Sequence, residues 1–286
     1  MHPLVEAARP KTLSAGVAPV LVGTAAADRF VAWRFAAALV VGVAVQVGVN
    51  YANDYFDFVR GVDTPARVGP RRAVAAGLVA PARMRLAMLA AFGVAAVAGL
   101  ALAAAAGWEL LLVGALCFAA AVSYSGGPRP YASAGLGELF VFTFFGLVAT
   151  VGSTYVQDGR IVTAAVAAAV PVGLLAVAIL VVNNLRDIET DAAAGKQTLA
   201  ARIGDARTRT LYVLLLAVAF ASVAAVASAV RSPLPVLAAL AAPLAAGPLR
   251  VVRDRAHGRG LIPALAGTAR LQLVFGVLLA LGLALA

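Results

Sequence analysis

The stretch NYANDYFDFVRGVD, residues 50–63, ends a run of small apolar residues with two asparagines and three aspartates. On a helix, Asn50, Asn53, Asp54 and Asp57 fall at i, i+3, i+4 and i+7, which is one face. A helix that merely emerges into water has no need of asparagines one turn deeper than its aspartates. The rest of the chain says what kind of helix this is. Of 286 residues, 63% are hydrophobic and 13% charged, and mean hydropathy is +0.95. Soluble domains carry about 25% charged residues. The composition therefore predicts a polytopic helical membrane protein.

Nine apolar segments approach the roughly 20 residues that cross a bilayer as a helix. They lie near 12–28, 34–57, 84–106, 108–125, 135–156, 162–186, 208–230, 233–249 and 266–285. Pro235, Pro243 and Pro248 are expected to shorten or kink the eighth. No soluble domain fits between spans, so residues 1–286 form a single transmembrane domain. The opening MHPLVEAARPKTL lacks the features of a secretory signal, and the apolar run after it is kept as a span.

Net charge is +10, yet the basic residues sit between apolar runs rather than along a soluble face, which argues against nucleic acid. Of the 23 Lys and Arg, 19 lie at the N-terminus or in and beside the loops after the even spans, and 4 beside the odd ones. The positive-inside rule then puts the N-terminus and the motif loops in the cytoplasm, and nine spans put the C-terminus outside, as in a cell-membrane protein. Cys117 lies in an apolar run and reads as a buried structural thiol. His2 and His257 have no ligand-spaced companions, so no zinc site is expected.

Six of the 13 acidic residues fall in two windows: Asp54, Asp57 and Asp63, then Asp187, Glu189 and Asp191. The second, NNLRDIETD, repeats the first pattern: Asn183, Asp187 and Asp191 are spaced by four and Asn184 shares the face. An ionised side chain deep in a membrane costs about 2.5–3.5 kcal/mol, and carboxylates facing one cavity repel each other. A divalent cation relieves both. Carboxylate and amide oxygens suit Mg²⁺ rather than zinc, with Asn50, Asp54, Asp57, Asp187 and Asp191 as the candidate ligands.

Basic residues flank both windows: Arg60, Arg67, Arg71 and Arg72, then Arg186, Lys196, Arg202 and Arg207. Acidic metal ligands beside cationic donors suit a metal–diphosphate. Only two lysines, Lys11 and Lys196, occur in the chain, both near this end, which points to a role for a compact ammonium. A third feature, YSGGPRPYASAGLGE at 124–138, is a Gly- and Pro-rich connection whose Tyr124, Arg129 and Tyr131 could cover a cavity mouth. A cation-coupled transporter also uses intramembrane Asp and Asn, but its sites lie near the midplane rather than at helix ends on one side.

Together NYANDYFD and DIETD resemble the paired aspartate motifs of the UbiA superfamily of intramembrane prenyltransferases, and the resemblance covers most of the chain. ARPKTLSAGVAPVLVGTA, NDYFDFVRGVDTPARVGPRRAV and NNLRDIETDAAAGKQTLAARIG look most like the menaquinone branch. The first motif departs from the common superfamily spacing: Asp54 and Asp57 are three apart, with Phe58 at the alternative position. The resemblance implies an all-α integral membrane protein of about nine transmembrane helices bundled around a central cavity open to the cytoplasmic side. It implies Mg-dependent transfer of a polyprenyl group from polyprenyl diphosphate, with 1,4-dihydroxy-2-naphthoate as acceptor and membrane lipids as surroundings. Other branches take 4-hydroxybenzoate or homogentisate. In this reading Asp54, Asp57, Asp187 and Asp191 are the catalytic carboxylates. Lys196, Arg60 and Arg129 neutralise departing diphosphate, and Asn50, Asn53, Tyr124, Asn183 and Asn184 contact substrate. Phe140, Phe142, Phe144 and Phe145 are candidates for facing an allylic cation. Lys11 and Arg72 are the candidates for the acceptor's carboxylate.

Overall fold

A computed structural model of the chain describes residues 2–61 and 72–286; Asp63, Arg67 and Arg71 lie outside the described residues. Among those described, regular structure is helical and no strand occurs. Among the described residues, seven helices are long and apolar enough to cross a membrane: α2 (Ala32–Val59), α3 (Pro81–Ala106), α5 (Gly137–Asp158), α6 (Thr163–Arg186), α7 (Asp205–Val230), α8 (Leu234–Arg253) and α9 (Gly258–Ala284). Two shorter apolar helices complete the set, α1 (Ser14–Ala25) and α4 (Glu109–Ser123). The nine apolar segments are thus helices, but α1 and α4 fall short of a full spanning length.

The most enclosed helix is α6. Its Leu175, Val182 and Leu185 belong to one buried apolar cluster with Tyr212 and Leu216 of α7, Ala238 of α8 and Leu271 and Phe275 of α9. α2 packs along α3, and α9 packs on α8 and α1. In lipid there is little hydrophobic force between helices, so close backbone approach supplies the packing. Glycines permit it: a Cβ on Gly146 would meet Gly173 Cα at 2.7 Å, and one on Gly16 would meet Gly42 O at 2.5 Å.

Two spans are not plain α-helix. Residues Leu234–Ala245 of α8 wind as a 3₁₀ helix containing Pro243. Prolines are expected to shorten or kink this span; it keeps 20 residues, and its first part departs from α-helix geometry. A 3₁₀ helix rises about 2.0 Å per residue against about 1.5 Å for an α-helix, so the segment gains length. In α5, Phe142–Val148 is π-helical. The wider turns change the helix phase, so residues 140, 144, 148, 152 and 156, four apart, all border one cavity.

Candidate active site

Two cavities meet at one end of the bundle. The larger, about 1010 Å³, is lined mostly by apolar side chains, and its volume is at the upper end for small-molecule sites. Ala38 and Asn53 of α2 both border it, which corresponds to a depth of about 22 Å along the helix axis. The smaller, about 60 Å³, is polar and carries Asp57, Asp187, Asp191 and Lys196. Arg9, Asn53, Tyr124 and Asn183 border both.

The first motif lies within helix α2, with Asn50, Asn53, Asp54 and Asp57 all buried. One face does not mean one task. Asp57 Oδ2 accepts from Arg72 Nη2 at 2.7 Å and from Lys196 Nζ at 3.0 Å. Asp54 instead accepts from the backbone N–H groups of Ala73 and Val74 at 2.9 and 3.0 Å, and it does not border the polar cavity. Asn50 Nδ2 donates to Ala8 O at 2.9 Å, and the residue borders only the larger cavity. Asn53 sits at the junction, its buried Oδ1 without a hydrogen-bond partner.

The second motif is not the single continuous face its spacing suggests. Helix α6 ends at Arg186, Asp187 breaks it, and Asp191 rides on the separate turn Ile188–Ala193. A backbone bond from Asp191 N to Asp187 O opens that short helix, and one from Lys196 N to Asp191 O closes the turn after it, both 2.8 Å. Asn183, Asn184, Asp187 and Asp191 still share the polar cavity. Arg186 grips the neighbouring Asp187 carboxylate through Nε at 2.7 Å and Nη2 at 2.5 Å, and reaches Asn183 Oδ1 at 2.9 Å. Asn184 donates to buried Glu138 at 3.0 Å.

The Gly- and Pro-rich connection folds over this junction. Gln197 N donates to Ser133 O, tying it to the loop after the second motif. Tyr124 and Tyr131 pack edge to face at 5.4 Å, Tyr131 stacks on Phe140 at 3.9 Å, and Phe140 on Phe144 at 6.0 Å. All four rings border the larger cavity, as does Phe145, whereas Phe142 packs against the core. Burial raises the Tyr124 phenol, and the Glu138, Asp57 and Asp191 charges push the same way against Arg9. Tyr131 is raised by burial and by Tyr124. Both stay protonated at neutral pH.

Some expected residues lie apart. Arg60 and Arg129 are exposed and border neither cavity; Arg60 Nη1 donates to Ser125 O at 2.9 Å. Arg72 lies in the polar cavity, away from the larger one, and Lys11 is exposed at the larger cavity's edge. Sequence reading missed Arg9, Ser133 and Thr198, all in the polar cavity. Arg9 adopts φ 54°, ψ 64°, left-handed for a non-glycine residue and directly before Pro10. That conformation costs about 1–2 kcal/mol and is held by surrounding structure. No sequence signal announces it.

Among the described residues, no three His, Cys, Asp or Glu gather closely enough to hold a metal alone. Mg²⁺ rarely uses an all-protein cage; it takes one or two carboxylates and fills its sphere with water and substrate phosphate. Asp57, Asp187 and Asp191 around one small cavity, with amide oxygens beside them, fit that donor set.

The chain is similar to known proteins over nearly its full length. The chain is 47% identical over 283 residues to the 1,4-dihydroxy-2-naphthoate octaprenyltransferase of Mycobacterium tuberculosis, covering 98% of this chain and 96% of the relative. The Bacillus subtilis protein of that name is 32% identical, with 96% and 90% covered. A UbiA homolog from Archaeoglobus fulgidus, solved with GPP and Mg²⁺, has the same fold at TM-score 0.66 and 17% identity, with 99% of this chain and 100% of that one covered. The apo UbiA homolog of Aeropyrum pernix K1 gives TM-score 0.68 at 16% identity, with 96% and 97% covered. Residues 16–259 match the UbiA prenyltransferase family, and this multi-pass membrane chain belongs to it.

Proposed function

We propose that this protein transfers a polyprenyl group from polyprenyl diphosphate to 1,4-dihydroxy-2-naphthoate, releasing diphosphate and CO₂ and giving demethylmenaquinol for menaquinone biosynthesis. The observation that carries the reading is the junction of a polar cavity bearing both aspartate motifs with a deep apolar one. The named relatives, matched over nearly the full chain, give the acceptor.

Asp57, Asp187 and Asp191, with Asn53 or Asn184 oxygens, would hold Mg²⁺. When bound, the ion neutralises the charge that grows on departing diphosphate. Lys196 and Arg72, now paired to Asp57, turn their donors to phosphate oxygens. Because these donors are already positioned in a poorly hydrated cavity, little reorganisation is needed as the bond breaks. The apolar cavity takes the isoprenoid and excludes water from the allylic cation. Faces of Tyr131, Phe140 and Phe144 stabilise that cation by cation–π attraction. The electron-rich acceptor ring attacks, and its carboxylate leaves as CO₂. The cation's positive charge and the carboxylate's negative charge cancel, so the transfer needs no net proton.

All nine apolar helices, α1 and α4 included, cross the membrane in this reading. The polar cavity and N-terminus then face the cytoplasm, and the C-terminus lies opposite, as the distribution of Lys and Arg requires. The test uses purified protein in nanodiscs with 1,4-dihydroxy-2-naphthoate and a polyprenyl diphosphate, with Mg²⁺ or EDTA, and product read by mass spectrometry. Mg²⁺-dependent quinol is expected. Product only with 4-hydroxybenzoate or homogentisate would overturn the acceptor; ion uptake by vesicles without prenyl transfer would overturn the chemistry.

A further inference from the structure

Among the described residues, four charged side chains border the larger cavity: Glu6, Arg9, Lys11 and Arg186. Arg186 holds Asp187 and Asn183 through Nε and Nη2 and does not border the polar cavity. Lys11 is exposed, with the rotamer freedom of a long unpacked chain. Arg72, the other cation that the sequence offers for an acceptor carboxylate, pairs with Asp57 and borders only the polar cavity. Arg9 is placed differently from all three. It is half-buried and borders both cavities, where the acceptor and donor halves of the reaction must meet.

Its backbone is fixed from several sides. Asn50 of α2 donates to Ala8 O, Tyr51 of α2 donates to Leu4 O, and Thr12 Oγ1 donates to Arg9 O. The segment before α1 is thereby strapped to α2, with the left-handed residue Arg9 at the joint. Arg9 lines the larger cavity together with the aromatic run Tyr124, Tyr131, Phe140 and Phe144, and it shares the polar cavity with Tyr124. A flat ring stacked on those faces needs a cation at its edge if it carries a carboxylate.

Resting on the proposed function, we infer that Arg9 is the specificity residue that receives the carboxylate of the aromatic acceptor. A planar guanidinium offers the two parallel N–H donors that a carboxylate accepts. Its anchored backbone keeps the ring edge from sliding toward the diphosphate donors Lys196 and Arg72.

The experiment compares 1,4-dihydroxy-2-naphthoate with 1,4-dihydroxynaphthalene, which lacks the carboxylate, in wild type, R9Q and R9K. A hydrogen-bonded charge pair is worth about 10- to 100-fold in affinity. R9Q should raise KM for the acid by about that factor, leave KM for geranyl diphosphate within about twofold, and leave the carboxylate-free diol unaffected. R9K should recover part of the loss. A rise in KM for geranyl diphosphate, or an equal loss with acid and diol, would overturn the assignment in favour of diphosphate binding or a structural role. If R9Q does not fold, R9K decides by the same comparison. A thermal shift induced by the acid alone, without donor, provides a readout independent of turnover: it should be present in wild type, weaker in R9Q, and absent for the diol in both. Wild-type protein that turns over neither acceptor would sink the proposed function itself, while the shift still tells whether Arg9 binds the carboxylate.

Discussion

Lys196 Nζ donates to Asp57 Oδ2 at 3.0 Å, joining residues 139 apart in sequence. One contact thus brings the lysine after the second motif to the carboxylate of the first. With Arg72 on the same oxygen, Asp57 gathers the cations that a diphosphate would claim. Lys196→Ala should lower kcat by about 100- to 1000-fold, the usual effect of removing one preorganised donor to developing charge. Lys196→Arg should recover part of it. Steady-state kinetics with saturating acceptor checks this, and near-normal kcat in the alanine variant would remove Lys196 from the diphosphate site.

Asp54 and Asp187 should separate. Loss of the Asp54 carboxylate strands the buried N–H groups of Ala73 and Val74, at about 1–3 kcal/mol each. Asp54→Ala should therefore lower the melting temperature as well as activity. Asp187→Ala should abolish turnover with a smaller change in melting. Thermal unfolding in detergent, run beside the activity assay, distinguishes them; equal melting would return Asp54 to a purely chemical role.

The aromatic run offers a graded test. Phe140 stacks on Tyr131 and lies beside Phe144, and a cation over such a face gains about 0.5–2 kcal/mol. Phe140→Leu keeps the apolar bulk and should cut kcat about 3- to 30-fold with donor KM little changed. An unaltered kcat would assign these rings to packing alone.

Gly146 tests the link between fold and cavity. A Cβ there meets Gly173 Cα at 2.7 Å, so Gly146→Ala must push α5 away from α6. Overpacking of this kind costs about 1–3 kcal/mol. The variant should melt lower and lose turnover with long-chain donors. A variant as stable as wild type would show that α5 can shift freely.

Much of this molecule was legible because membrane helices announce themselves by composition and length, and the segments near 34–57 and 162–186 match α2 and α6 within about two residues at each end. The two motifs were legible because buried carboxylates in an apolar chain demand a compensating partner. Periodicity could place Asn50, Asn53, Asp54 and Asp57 only on a common stripe. It could not assign their partners, because those come from the segments around Ala8, Ala73 and Lys196, distant in sequence. It also could not show that the helix stops at Asp187 and that Asp191 rides on a separate short helix.

By itself the sequence determined the class of fold, the presence of two acidic motifs and the family, since these depend on residue type and local spacing. The tertiary structure alone decided that Asp57 meets Lys196 while Asp54 holds backbone, and that Arg9 stands where the two cavities join. A side chain's task depends on which distant segment is packed against it, and local spacing carries no record of that.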